Sequence, residues 1–156
     1  MILRGMAIAR RRGLGYADGQ ADIPAELVHY SDHGEGSYTP QHFADAVCTC
    51  GRREFLLQLD DAAGVAIRTC GTCGTSHIMG DGAAYLDDCE PDDLDVRECL
   101  CGSPLLEITL GVHLYRESRD VKWLYVGCRC PACGLAGCYG DWKNEAGDYK
   151  AFLRNT

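Results

Sequence analysis

A small, mainly β fold, made of two tandem β-hairpin modules and a short C-terminal helix, is what this sequence predicts. Three observations predict it. The 156 residues include 19 Gly and 11 Cys but only three Phe and two Trp. A chain so rich in glycine and so poor in large aromatics makes short strands, many turns and small cores, and such cores need a staple. Eight of the cysteines fall into four close pairs, each followed by a glycine, and the pairs repeat along the chain.

The repeat is a duplication. The first half carries Cys48-Thr-Cys50-Gly51 and Cys70-Gly-Thr-Cys73-Gly74, and the second carries Cys99-Leu-Cys101-Gly102 and Cys130-Pro-Ala-Cys133-Gly134. Shifting the first pair by 51 positions and the second by 60 superposes every cysteine and every glycine. The same shifts place Phe55, Leu57 and Leu59 on Leu106, Ile108 and Leu110, and Gly80-Asp81 on Gly140-Asp141. Two copies of one module are therefore expected.

Four soft donors from two places in the chain suit a tetrahedral zinc, with two cysteines in a tight turn supplying each edge. Glycine after each pair permits a positive φ, which turns backbone N–H groups toward the sulfurs. The predicted ligands are Cys48, Cys50, Cys70 and Cys73 for one ion and Cys99, Cys101, Cys130 and Cys133 for the other. The arrangement resembles the zinc-ribbon family, in which two such knuckles flank a β-hairpin, over roughly residues 43–82 and 94–142. The resemblance implies two structural zinc ions and speaks to fold and metal more than to function. It departs from the family at Cys48/Cys50 and Cys99/Cys101, where one residue rather than two separates the first pair. His42, His77 or Cys128 are the alternative ligands this narrow spacing leaves open. Iron is second to zinc, because Cys130-Pro-Ala-Cys133-Gly134 also resembles a rubredoxin knuckle while no rubredoxin-like aromatic cluster accompanies it.

The elements follow in order. Residues 1–20, glycine- and arginine-rich, read as a disordered tail, and 21–42 as an arm or loop with one helical turn at Pro24–Val28. Residues 43–93 form the first ribbon with its acidic connector. Its strands run Phe55–Leu59 and Val65–Thr69 around a turn at 60–64, and Ser76–Met79 adds a third. Pro91 interrupts any helix in the connector. Residues 94–156 form the second ribbon and the C-terminal helix. There the knuckles stand 28 residues apart against 19 in the first. The longer hairpin turns at Arg116–Asp120 and must pack on the first module, on residues 21–42 or on a partner. Ile108, Leu110, Val112 and Leu114 alternate with Thr109, Gly111, His113 and Tyr115. A symmetric turn pairs Leu110 with Val126 and puts Trp123 beside His113 on the polar face. A slip of one residue pairs Leu110 with Tyr125 and buries both aromatics. The closing helix, from Asp148, docks through Tyr149, Phe152 and Leu153.

Charge and cysteine usage bound the function. The formal charge is −8, and two four-thiolate zinc sites lower it by about 4, to about −12. Such a body repels a phosphate backbone, so nucleic acid is not an expected partner. Arg4, Arg10, Arg11 and Arg12 break the N-terminal apolar pieces, and no apolar run reaches the ~18 residues of a membrane span. The chain reads as cytoplasmic, where thiols stay reduced and bind metal. Cys89, Cys128 and Cys138 are left over, and Cys89 sits among acids that raise its thiol pKa. All-thiolate sites are closed to water, and no hydrolytic or phosphate-binding motif is present, so catalysis is not expected. His29, Asp32 and His33 in the arm read as solvated. The expected role is a non-catalytic, acidic module that binds a basic protein, of adaptor or bacterial immunity and inhibitor type. His113, Tyr115, Trp123, Tyr125, Asp141 and Trp142 are the candidate partner surface. A nucleic-acid-associated ribbon of a larger complex and a rubredoxin-like electron carrier are the alternatives.

Overall fold

The computed structural model describes residues 15–32 and 38–156. His33 and the arginines at positions 4, 10, 11 and 12 lie outside them. The chain forms helix α1 (Ile23–Asp32), strands β1 (His42–Asp45), β2 (Phe55–Asp60), β3 (Val65–Cys70), β4 (Ser76–Ile78), β5 (Asp95–Arg97), β6 (Glu107–Leu114), β7 (Val121–Arg129) and β8 (Ala136–Lys143), and helix α2 (Tyr149–Arg154). Two antiparallel four-stranded sheets result, ordered β4-β3-β2-β5 and β1-β6-β7-β8. The mainly β expectation is met, and so is the C-terminal helix, where Asp148 accepts from the backbone N–H groups of Lys150 and Ala151 as N-cap. No helix among the described residues is long and apolar enough to cross a membrane.

Each sheet is a hairpin plus a third strand from its own module, and a fourth strand from the other. β1 lies just before Cys48 yet pairs with β6, with Asp45 opposite Thr109 and Ala44 opposite Leu110. β5 lies just before Cys99 yet pairs with β2, with Val96 opposite Gln58 and Asp95 opposite Leu59. Under the 51-residue shift these two registers are identical. At the centre, the equivalent residues Phe55 and Leu106 exchange both backbone hydrogen bonds, at 2.9 and 2.8 Å. The modules are thus related by an internal two-fold and trade their edge strands across it.

One core fills the space between the sheets. Leu57, Leu59 and Phe55 from the first module and Ile108, Leu110, Leu124 and Val126 from the second belong to it, together with Cys48, Cys70, Cys99 and Cys130. Trp142 and Phe152 close its margin. The symmetric hairpin register is the one realised: Leu110 faces Val126 and His113 faces Trp123.

Within the segment 21–42, read as an arm or loop with one helical turn, Ile23–Asp32 form α1, a ten-residue helix. Ile23 and Leu27, one helical turn apart, are fully buried with Tyr125 and Cys138, and Phe43, Tyr30 and Trp123 pack around them. α1 seats where β6 and β7 carry glycine. A Cβ at Gly127 would stand 2.5 Å from Ile23 and 3.0 Å from Leu27, and one at Gly111 would stand 3.0 Å from Phe43. The absent side chains make room for the helix. Of the tail expected to be disordered, residues 15–20 are held in place. Ala17 N–H donates to Gly134 O at 2.9 Å, Tyr16 bridges to Leu135, and the Gln20 amide donates to Ile108 O at 2.8 Å. The rest of that tail lies outside the described residues.

Candidate metal centres

Each knuckle is a tight turn closed by its glycine. Gly51 and Gly102 N–H donate to Cys48 and Cys99 O at 2.8 and 2.9 Å, and Gly74 and Gly134 N–H donate to Cys70 and Cys130 O at 3.0 and 2.8 Å. All four glycines have positive φ, 91°, 93°, 76° and 82° in the same order. A side chain at that φ is strained, which is why glycine recurs there. In the first module the turn aims Thr72 and Cys73 N–H at Cys70 Sγ, 3.4 and 3.5 Å away.

The hairpins bring the knuckles together in pairs. Cys48, Cys50, Cys70 and Cys73 form one cluster and Cys99, Cys101, Cys130 and Cys133 the other, with all sulfurs of each within 4.8 Å. Cys48 Sγ lies 3.5 Å from Cys73 Sγ and Cys50 Sγ 3.6 Å from Cys70 Sγ. The equivalent separations, Cys99 to Cys133 and Cys101 to Cys130, are 3.5 and 3.6 Å. A tetrahedron with metal–sulfur bonds of about 2.3 Å has edges of roughly 3.8 Å, so four thiolates placed this way fit a metal ion. Each cluster can hold one ion, and the site is zinc-ribbon-like. Among the described residues these are the only groups of three or more metal-capable side chains within that reach. Cys48, Cys70, Cys99 and Cys130 are buried, and Cys50, Cys73 and Cys101 face solvent.

The local fields favour thiolates at several positions. Backbone N–H groups of Cys73 and Thr72 lower the Cys70 thiol, and that of Ser103 lowers Cys101. The hydroxyl and N–H of Thr75 bring Cys73 down to about 6. Burial raises Cys99. Beside the first cluster lies a buried cation that the sequence reading missed. Arg68 sits 4.7 Å over the Phe55 ring, donates from Nη2 to Thr156 O at 3.0 Å and feels the charges of Cys48 and Cys70. Its counterpart under the 60-residue shift is Cys128, so the second cluster lacks this charge. An arginine aligned with a cysteine was the signal, legible only once the repeat was laid out.

The alternative ligands are all elsewhere. His42 stacks on Tyr149 at 4.0 Å, and His77 Nε2 lies 3.2 Å from Asn155 O. Cys128, opposite Ile108, is wholly buried, and burial raises its thiol far above the usual range. Cys138 joins the small core under α1. Cys89 donates to Asp60 Oδ2 at 3.2 Å, and burial, then Asp60, pushes it up to about 11.

The candidate partner residues divide between two faces. Asp141 accepts from Trp123 Nε1 and from Tyr30 Oη, both at 2.9 Å, and Tyr125 Oη donates to Tyr38 O at 2.6 Å. Tyr38 also packs on Trp123 at 5.1 Å and on His113 at 5.4 Å. Lys122 Nζ stands 4.3 Å above the Tyr38 ring and 5.6 Å from Tyr115. These contacts bring His113, Tyr115, Trp123, Tyr125 and Asp141 onto the α1 side of the second sheet. Tyr125, at 4% exposure, is covered there by α1 and has no surface to offer. Trp142 lies on the opposite face, its ring packed in the main core at 7% exposure while its edge lines a cleft with Gly64 and Asn144. Its indole Nε1 is nevertheless buried without a partner among the described residues, as is Asn144 Oδ1. A lone buried polar group costs about 1–3 kcal/mol, so the pair marks a place that is polar for a reason. Compared with protein-family models, with curated proteins and with solved structures, the chain matches none.

Proposed function

We propose that the chain is a non-catalytic structural-zinc protein, with zinc in both cysteine clusters, that serves as an acidic module binding a basic protein partner. The observation that carries the reading is the combination of closed, all-sulfur clusters with a formal charge of −8. Four thiolates around zinc leave no position for water or substrate, so the ion supplies folding energy rather than Lewis-acid chemistry. Each loaded site adds about −2, and a body near −12 attracts basic proteins by long-range steering while repelling phosphate backbones.

Two measurements test it together. Elemental analysis is expected to return two zinc per chain from a colourless protein; iron with visible colour supports the electron-carrier alternative instead. A chain beginning at Gly15, which keeps every described contact, is expected to pass through heparin at low salt. Retention on heparin or on nucleic acid overturns the acidic-module reading and favours the nucleic-acid ribbon.

A further inference from the structure

Resting on that reading, the geometry points to a specific docking site for the basic partner: we infer that the trough between the β2–β3 turn, the acidic connector and the end of β8 takes an extended segment bearing lysine or arginine. Two clefts meet there, of about 710 and 370 Å³, sharing Asp61, Ala62, Ala63 and Tyr85. Six aspartates line the larger one, among them Asp61, Asp92, Asp93 and Asp95, and its lining includes a single cation, Arg97. Arg97 is already committed, donating to Tyr139 O at 3.0 Å and lying 3.5 Å from Asp61 Oδ1. It leaves most of the negative charge unbalanced.

The smaller cleft supplies an independent observation. Trp142 and Asn144 line it, at 7% and 6% exposure, and each holds a buried polar atom without a partner, the indole N–H and Oδ1. The indole nitrogen lies beside Gly64, where an added Cβ would stand only 3.3 Å from it. A donor and an acceptor lining one cleft, next to a row of carboxylates, match a peptide: its backbone meets Trp142 and Asn144, and its cations lie along the aspartates. A metal ion fits less well. The aspartates do not converge, since only the cysteine clusters gather three or more ligand groups within 4.8 Å among the described residues. Spread carboxylates suit spaced cations. Burial, with help from Asp141, Asp60 and Asp95, also holds the Asp61 carboxyl above its usual range against the pull of Arg97, and an arriving cation relieves that strain.

The test uses the two tryptophans as reporters. The full chain, loaded with metal and ¹⁵N-labelled, is titrated with a short synthetic peptide alternating arginine and glycine. The indole N–H signal of Trp142 is expected to shift, while that of Trp123, bonded to Asp141 at 2.9 Å, stays. The combined variant Asp61→Asn, Asp92→Asn, Asp93→Asn and Asp95→Asn is expected to bind the peptide about tenfold more weakly or worse. A control of equal charge change, Asp18→Asn, Asp32→Asn, Glu54→Gln and Glu117→Gln, touches neither cleft and is expected to lose less than about threefold. Unchanged metal content shows that both variants fold. Equal losses in the two, or a silent Trp142, overturn the trough while leaving the basic-partner reading intact. No binding by the unaltered chain overturns both.

Discussion

The two sheets share a register, a four-cysteine cluster and a core, yet they are used differently. In β2, Leu56 and Gln58 point away from the core and are at least partly exposed between the buried Phe55, Leu57 and Leu59. In β6, every residue from Ile108 to Val112 is buried. Among the described residues the first sheet has one covered face and the second has two, because α1 lies on the second. The duplication therefore supplied one scaffold twice. The copy that carries a helix is buried on both sides of β6, and the other keeps one face wet. The acidic trough opens on neither outer face but between the modules, on the side of β5 where Arg97 reaches Tyr139 O.

The largest expected effect tests this division. Cys70 and Cys130 are equivalent under the repeat, and under the proposed zinc reading each site is worth about 10–16 kcal/mol, comparable to the whole stability of a domain. Cys130→Ser is expected to release both metal ions and unfold the chain. Cys70→Ser is expected to release one and to keep the Trp123 indole signal, since α1, β1 and the second sheet remain. Zinc content and the indole region of the NMR spectrum decide it. Equal behaviour of the two variants breaks the comparison.

A smaller effect sharpens it. Gly127 and Ile67 are equivalent, but only Gly127 lies under a helix. Gly127→Val drives a side chain into Ile23 and Leu27 and is expected to cost about 1–3 kcal/mol. Ile67→Val, on the half-buried face, is expected to cost below about 1 kcal/mol. Denaturant midpoints measure both, and a larger loss at Ile67 reverses the assignment of the buried sheet.

The smallest effect is electrostatic and differs in sign between the hairpin ends. At the first turn, burial raises the Asp61 carboxyl, and neighbouring acids add to this. A raised carboxylate destabilises the native state once ionised. The penalty is absent below the unfolded pKa and reaches its full size as pH rises through the folded one. Asp61→Asn is expected to stabilise at neutral pH by at most about 0.5 kcal/mol, given the exposure of the side chain, and to do nothing in acid. At the second turn, Arg119 donates to Asp148 at 2.6 Å and holds that carboxyl down. Its contribution is present above the unfolded pKa and is lost as pH falls through the folded one, so Asp148→Asn is expected to destabilise at neutral pH. Melting temperature against pH for the two variants is expected to diverge in opposite directions.

Much of this was legible in the sequence. The two four-cysteine clusters were, because a chelating site fixes residue type, spacing and the following glycine, and the repeat tests each against its twin. The hairpins, the Arg116–Asp120 turn and α2 were legible from alternation and from Asp148. The exchanged strands were not. His42–Asp45 and Asp95–Arg97 are three or four residues of mixed polarity, held as strands by the register of their neighbours rather than by their own pattern. α1 was reduced to a single turn because Pro24 and the glycine-rich surroundings hid the Ile23–Leu27 spacing. The face of Thr109, Gly111 and His113 read as polar for a related reason. Glycine there marks close approach of a helix, and hydropathy alone does not distinguish that from exposure. With two registers left open and the face of the symmetric one read as polar, Tyr125 was offered as surface when it is core.

The traded edge strands carry a consequence for biosynthesis. As the chain leaves the ribosome, the first hairpin emerges complete with its four cysteines, but its outer strand arrives only with residues 95–97. β1 has meanwhile been waiting since residue 45 for β6. Neither sheet can close its hydrogen-bond ladder until most of the polypeptide exists, so long-range pairing sets the pace of folding. A metal ion captured at the first knuckle pair would hold the nascent half together while it waits for the other.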